Sequence, residues 1–187
     1  MRRILIAWAL VVLGASATRA QQFAISTELS SLALTAPNVG IEMVTGNSST
    51  LSLYGLMAKN PWWTGKPLSI TVLQPEYRFY FSGRPISKFF VGIGGVGGLY
   101  DITWGGKRYD GYGLGGGITF GYVMNLNDRL NLDFHSGFGA IYYLRKEYFE
   151  QDNFDVSHSV NGMQRANASG YYLLPTRLGV SLIYIFR

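Results

Sequence analysis

Bulky and small side chains alternate along this chain with a period of two. Between residues 111 and 124 the even positions include Tyr112, Leu114, Ile118, Phe120 and Tyr122, while the odd ones include Gly111, Gly113, Gly115, Gly117 and Gly121. Successive strand residues point to opposite faces, so this stretch predicts a strand with one bulky face and one nearly bare face. The last stretch, residues 171–186, shows the same period. Tyr172, Leu174, Thr176, Leu178, Val180, Leu182, Tyr184 and Phe186 fall on one face, against Arg177, Gly179 and Ser181 on the other. It is far longer than the usual strand of about five or six residues and reads as the closing strand of a membrane barrel.

Turn residues divide the rest of the chain into segments 24–34, 39–44, 50–58, 68–81, 88–104, 109–124 and 129–145, which with the last make eight strands. An even number lets an antiparallel barrel close with both termini on one side. On that plan the connections at 46–49, 82–85 and 125–128 are short periplasmic turns. Those at 60–67, 105–111 and 146–170 are mostly longer outer loops, and the short one at 35–38 is the exception. Segment 24–34 is the least regular.

Alternation by itself fits a soluble ligand-binding barrel as well as a membrane one, and side-chain volume separates them. Eight strands enclose an interior only just wide enough to be filled by side chains, so the bulky faces of all the strands cannot point in. In segment 68–81 this sends Leu73, Tyr77, Phe79 and Phe81 outward and Gln74, Glu76, Arg78 and Tyr80 inward. In 129–145 it sends Leu130, Leu132, Phe134 and Phe138 outward and Asn131, Asp133 and His135 inward; in 39–44, Val39, Ile41 and Met43 face out and Glu42 in. Phe89-Phe90 and the glycines after them leave the register of 88–104 open, with a bulge as one explanation, and Tyr100, Ile102 and Trp104 read as an outer interfacial patch. The expected fold is all-β: an eight-stranded antiparallel transmembrane β-barrel with a polar, plugged interior.

Composition strengthens the membrane reading. Charged residues make up 14% of the chain, against an ordinary value of about 25%, while aromatics reach 15%. Beyond residue 20 no apolar run approaches the roughly 20 residues of a spanning helix, so if a membrane is crossed, strands do the crossing. The first twenty residues join a basic start, Met1-Arg2-Arg3, to an apolar run and a set of small residues, which predicts a signal peptide over 1–20, cut after Ala20 or alternatively Ala17. The barrel domain is then 21–187, and its expected location is the outer membrane. Losing Arg2, Arg3 and Arg19 takes the basic count from 16 to 13 against 11 acids, so the net charge falls from +5 to +2. That removes the ground for a nucleic-acid partner. Without cysteine there is no disulfide, thiol nucleophile or cysteine metal site.

The inward set gathers Glu42, Glu76, Arg78, Asp133, His135 and Arg177, with Glu28 joined less firmly. Buried charges must pair, which predicts a lumenal polar network that fills and blocks the interior, with Glu76 or Asp133 as the partner of Arg177; an ion path or gate is the alternative. His135-Ser136 beside Asp133 suggests a hydrolase, but neighbours on a strand face opposite ways and a nucleophile must reach its base, so no enzyme activity is expected. His158 with Asp152 and Asp155 lacks metal-site spacing. The G-x-G-x-x-G matches at 92–97 and 111–116 run on as strand where a nucleotide site needs a helix, so no cofactor is expected. Trp62, Trp63, Phe149, Phe154 and Arg165 in the outer loops are rim anchors or a contact surface for a protein partner, since aromatics and arginine dominate such surfaces. Outer-membrane lipid is the other expected partner, and the oligomeric state is not legible.

Several of these pieces together resemble an uncharacterised outer-membrane barrel family, domain of unknown function family 3575. They are residues 34–42 with Pro37-Asn38-Val39-Gly40-Ile41-Glu42, then Asn60-Pro61-Trp62, and Gln74-Pro75-Glu76-Tyr77-Arg78-Phe79-Tyr80. Gly92, Tyr100 and residues 171–186 continue the likeness, and Arg187 after Phe186 departs from a barrel ending in Phe. The resemblance implies a barrel with no assigned reaction, accompanying envelope or surface-fibre functions, and it carries over no catalytic residues. The expected function is a structural or interaction role through the extracellular loops. A lipid-modifying barrel enzyme, a narrow conduit and a soluble secreted ligand-binding barrel stay open as alternatives.

Overall fold

The computed structural model describes residues 22–61, 64–149, 159–160, 163–164 and 167–186. The expected signal segment, Trp62, Trp63, Phe154, His158 and Arg165 lie outside the described residues. The elements are β1 (Phe23–Glu28), a short helix α1 (Leu29–Ala33), β2 (Asn38–Val44), β3 (Ser49–Lys59), β4 (Leu68–Tyr80), β5 (Lys88–Trp104), β6 (Lys107–Asn125) and β7 (Leu130–Phe149). A separate two-stranded ladder, β8 (Ser159–Val160) with β9 (Met163–Gln164), precedes β10 (Ala168–Phe186). Eight antiparallel strands close into one ring in the order β1-β10-β7-β6-β5-β4-β3-β2, and β10 meets β1 from Phe23↔Phe186 to Glu28↔Ser181. Among the described residues no helix is long and apolar enough to cross a membrane.

Alternation decides which side chains enter the ring. On β4, Leu73, Tyr77 and Phe79 are exposed outside, whereas Tyr80 is 0% and Arg78 2% exposed within. On β7, Phe134 and Phe138 face out while Asn131, Asp133 and His135 are buried. Glycine covers the inner face of β6 because the β6–β7 pair lies too close for side chains there. A Cβ at Gly115 or Gly117 would collide with the carbonyl of Ala140 or Phe138.

Several expectations are corrected. The first strand does not run over 24–34: it stops at Glu28, and Leu29–Ala33 turn as α1, so the connection expected at 35–38 is longer than the sequence suggested. The loop expected from 146 begins later, because β7 continues to Phe149 and β10 starts at Ala168. Strand β5 contains no bulge, pairing with β6 without interruption from Lys88↔Val123 to Trp104↔Lys107. That continuity puts Tyr100 and Ile102 on the side of Gly92 and Gly94, which is the inside, so with Trp104 they line the mouth of the ring and do not form an outer patch.

The irregularity lies in β10, where the register with β7 shifts between Pro175 and Arg177. Proline cannot donate to the ladder, and one extra residue there reverses the alternation. The closing strand therefore has no single apolar face. Leu178 lies outside and Arg177 inside below the shift, while above it Tyr172 and Leu174 pair with the inward Ile141 and Gly139.

The ring is filled at the end that carries Phe23 and Phe186, here the terminal end. Ala24, Tyr80, Ile86, Phe90, Val123 and Ile183 form a buried cluster. Ile86 reaches it from the turn after β4 at the cost of φ 55°, an unusual conformation for a β-branched residue. Its carbonyl accepts from Asn131 Nδ2 at 3.2 Å, and Asn125 Nδ2 donates to Asn131 Oδ1 at 2.9 Å. Such strain costs about 1–3 kcal/mol, which burying the side chain, worth about 1.5–3 kcal/mol, offsets.

Candidate functional site

Above the apolar floor the interior holds four carboxylates (Glu28, Glu42, Glu76 and Asp133), Arg78 and Arg177, and His135. Arg78 is the hub. Its Nη1 donates to Asp133 Oδ2 at 2.8 Å and lies 3.9 Å from Glu42 Oε2, and its Nε lies 3.0 Å from Glu76 Oε2. The Phe90 ring, 4.4 Å from the guanidinium carbon, replaces water on one side of that cation. Strands β2, β4 and β7 supply these groups because each turns every second side chain into the ring.

Hydroxyl donors fill the lone pairs that the arginines leave. Glu42 Oε1 accepts from Thr50 Oγ1 at 2.5 Å and from the Tyr80 hydroxyl at 2.8 Å. Glu76 accepts from the Thr119 hydroxyl and, at 2.6 Å, from Arg177 Nη1. Arg177 also lies over the Tyr54 ring at 4.7 Å. His135 stands between Asp133, 3.5 Å from Nδ1, and Glu28, 3.8 Å from Nε2. Each buried ion costs several kcal/mol if left alone, and this convergence of opposite charges and hydroxyls offsets that cost.

Glu28 is a full member of the set, and the chain turn after β1 positions it. Its backbone N donates to Asn38 Oδ1 at 2.6 Å, Asn38 Nδ2 donates back to its carbonyl at 3.0 Å, and Ser30 Oγ of α1 donates to its carboxylate at 2.9 Å. Sequence reasoning missed the hydroxyl partners Thr50 and Thr119; their inward parity on β3 and β6 was the available signal. Ser181, on the face of Arg177, is buried as well. It pairs with Asp133 in the ladder, and its hydroxyl has no hydrogen-bond partner among the described residues. Ser136 lies on the other side of the wall from the buried His135, by strand alternation.

Gln74 closes the top of this network. Its Nε2 donates to the Thr176 carbonyl at 2.9 Å, although β4 and β10 are not neighbours in the ring, so the bond bridges the lumen. The cavity beside it, lined by Gln74, Glu76, Thr119, Thr176 and Arg177, measures about 20 Å³. That is room for about one water molecule.

Beyond Gln74 the inward side chains become apolar and aromatic: Ile70, Val72, Val96, Tyr100, Ile141 and Leu174, all half-buried. Arg145 sits at the mouth with its guanidinium carbon 4.8 Å from the Tyr109 ring and 4.7 Å from the Tyr143 ring, and Tyr143 stacks on Tyr172 at 4.7 Å. Glu147 accepts from Lys107 Nζ at 3.3 Å and Arg145 Nη2 at 3.2 Å. Phe149 ends β7 exposed, with Lys107 Nζ 5.1 Å from its ring centroid. Among the described residues no group of His, Asp and Glu is arranged to hold a metal ion.

A family model described as "Protein of unknown function (DUF3575)" matches residues 5–186. No curated protein and no solved structure matches the chain.

Proposed function

The chain belongs to this family of proteins of unknown function, and on that footing we propose that it is a non-conducting β-barrel of the Gram-negative outer membrane. It serves as a structural or interaction protein through the loops at the end away from its termini, accessory to envelope or surface-fibre assembly. The observation that carries this reading is the inverted polarity of the ring, with apolar side chains outside and ion pairs inside. On β5 the outward apolar positions run from Phe89 to Leu99, close to the roughly 9–11 residues that a tilted strand needs to cross a bilayer. The belt ends where Arg108 Nε donates to Asp101 Oδ1 at 2.8 Å on the same outer face. Phe81, Phe89, Tyr122 and Phe134 ring the other edge, where aromatic side chains favour the headgroup level. The floor around Ile86 and the Gln74 bridge support a closed lumen.

Fractionation and gel migration test the reading. The protein is expected in the outer-membrane fraction, extractable only by detergent, with a folded band that shifts on boiling. Planar bilayers containing it are expected to show no stable conductance steps. Recovery in the soluble periplasmic fraction overturns the membrane assignment, and stable steps overturn the closed lumen.

A further inference from the structure

We propose that the half of the ring beyond Gln74 is a binding cup for a long alkyl chain with an anionic head, of the kind a long-chain carboxylate presents. This goes beyond the function proposed above and rests on it in one respect, that the slot described below opens into lipid. The first observation is the change in packing along the interior. Inward apolar residues at the terminal end are sealed, with Tyr80 at 0%, Ile183 at 1% and Phe90 at 2% exposure. Those beyond Gln74, such as Ile70, Val72, Val96, Ile141 and Leu174, face the same lumen but are only half-buried. Apolar surface left open inside a wall lacks the stabilisation of burial until an apolar group covers it. From Val96 to Trp104 the cup is about 20 Å deep, taking about 3.3 Å per residue and the usual strand tilt.

The second observation is the charge at the rim. Lys107 and Arg145 converge on one carboxylate, Glu147, which leaves one positive charge in excess. Arg145 Nε is buried without a hydrogen-bond partner among the described residues. A cavity of about 330 Å³ lies against Arg145, walled by Tyr100, Ile102, Tyr109 and Tyr172, within the size range of ligand pockets. An anionic head seated there meets a guanidinium held between aromatic rings, while its chain extends down the apolar wall.

The third observation supplies the route. Strand β1 ends at Glu28, paired with Ser181, so among the described residues 168–180 of β10 have a ladder partner only in β7. Among the described residues the ladder is interrupted above α1, and a chain passing sideways through that slot would keep its head at the rim.

The protein folded in octyl glucoside micelles is titrated with palmitate, hexadecanol and lysophosphatidylglycerol by calorimetry. One saturating palmitate per chain is expected, with hexadecanol weaker by at least about tenfold, the usual worth of a hydrogen bond to a charged group. Arg145→Gln is expected to erase that difference, and Ile141→Trp, which fills the cup, to abolish both. Leu174→Trp serves the same purpose should Ile141→Trp lose its folded, heat-shifted band. Lysophosphatidylglycerol binding as tightly as palmitate makes an envelope lipid the source of the chain, and weaker binding makes it a free carboxylate; both support the cup. Absence of saturable binding in a protein that keeps its heat-shifted band overturns the cup and leaves the membrane reading standing. Binding unchanged by both tryptophan substitutions overturns it too, because the ligand then lies on the outer face.

Discussion

Arg78 holds the interior together, since carboxylates from three strands converge on its guanidinium. Arg78→Met keeps much of the volume but leaves Glu42, Glu76 and Asp133 facing one another. Removing one partner of a buried ion pair costs about 3–5 kcal/mol, and that loss is expected in urea unfolding followed in micelles. Adding Asp133→Leu is expected to restore part of it; equal instability of the single and double variants would falsify the pairing. Glu147, at the rim and beyond the apolar belt, behaves differently. Burial pushes its pKa up, but Lys107 and Arg145 outweigh that and hold it below the ordinary glutamate value. With the folded value below the unfolded one, the clasp contributes fully at neutral pH and is lost as the pH falls through the folded value. A carbon NMR titration is expected to place the Glu147 midpoint below that of a free glutamate, and Lys107→Met to move it upward. Much of the residue scale was legible, because Glu76, Arg78 and Tyr80 alternate with Tyr77 and Phe79 in an unbroken strand. The weight of Glu28 was not, because it stands at the last strand position before α1, where a period of two has nothing left to repeat.

Among the elements, the long regular strands were readable and the departures from regularity were not. Strand β6 declares its two faces by glycine against bulky residues. Strand β10 looked equally clear, yet its period reverses at Pro175–Arg177, because a proline in the ladder and one extra residue cost the sequence pattern nothing while flipping every later side chain. Deleting Thr176 removes the extra residue and sets Leu174, Pro175 and Arg177 opposite Gly139, Phe138 and Gly137 in one continuous register, with Tyr172, Leu174 and Arg177 all still inward, so the folded, heat-shifted band is expected to survive. In β5 the reverse happened: glycines obscured a register that is in fact continuous. The turn after β4 shows why local rules also fail, since Ile86 adopts a backbone that its own side chain disfavours in order to reach the floor cluster. Ile86→Gly loses the buried side chain but regains the strain, so a net cost of about 1–2 kcal/mol is expected. Ile183→Ala, whose backbone is unstrained, is expected to cost about 2–5 kcal/mol by the same denaturation measurement.

At the scale of the molecule the ring is lopsided. Strands β1 and β2 have 6 and 7 residues, whereas β6, β7 and β10 have 19 or 20. The short β1 and β2 pair with each other and so share one sector of the circumference, and closure sets that sector directly beside the long β10, a neighbour that strand lengths in the sequence do not reveal. If the ring spans a bilayer as proposed above, the strands of that sector present a lower hydrophobic height than the opposite wall. Lipid meeting a short apolar face must thin, or the protein must tilt toward it, each at a fraction of a kcal/mol per ångström. The barrel's axis is therefore expected to lean, and the bilayer around it to be uneven, thinnest beside α1. The protein would then favour thin membranes over thick ones, a sorting preference set by two short strands at the start of the ring.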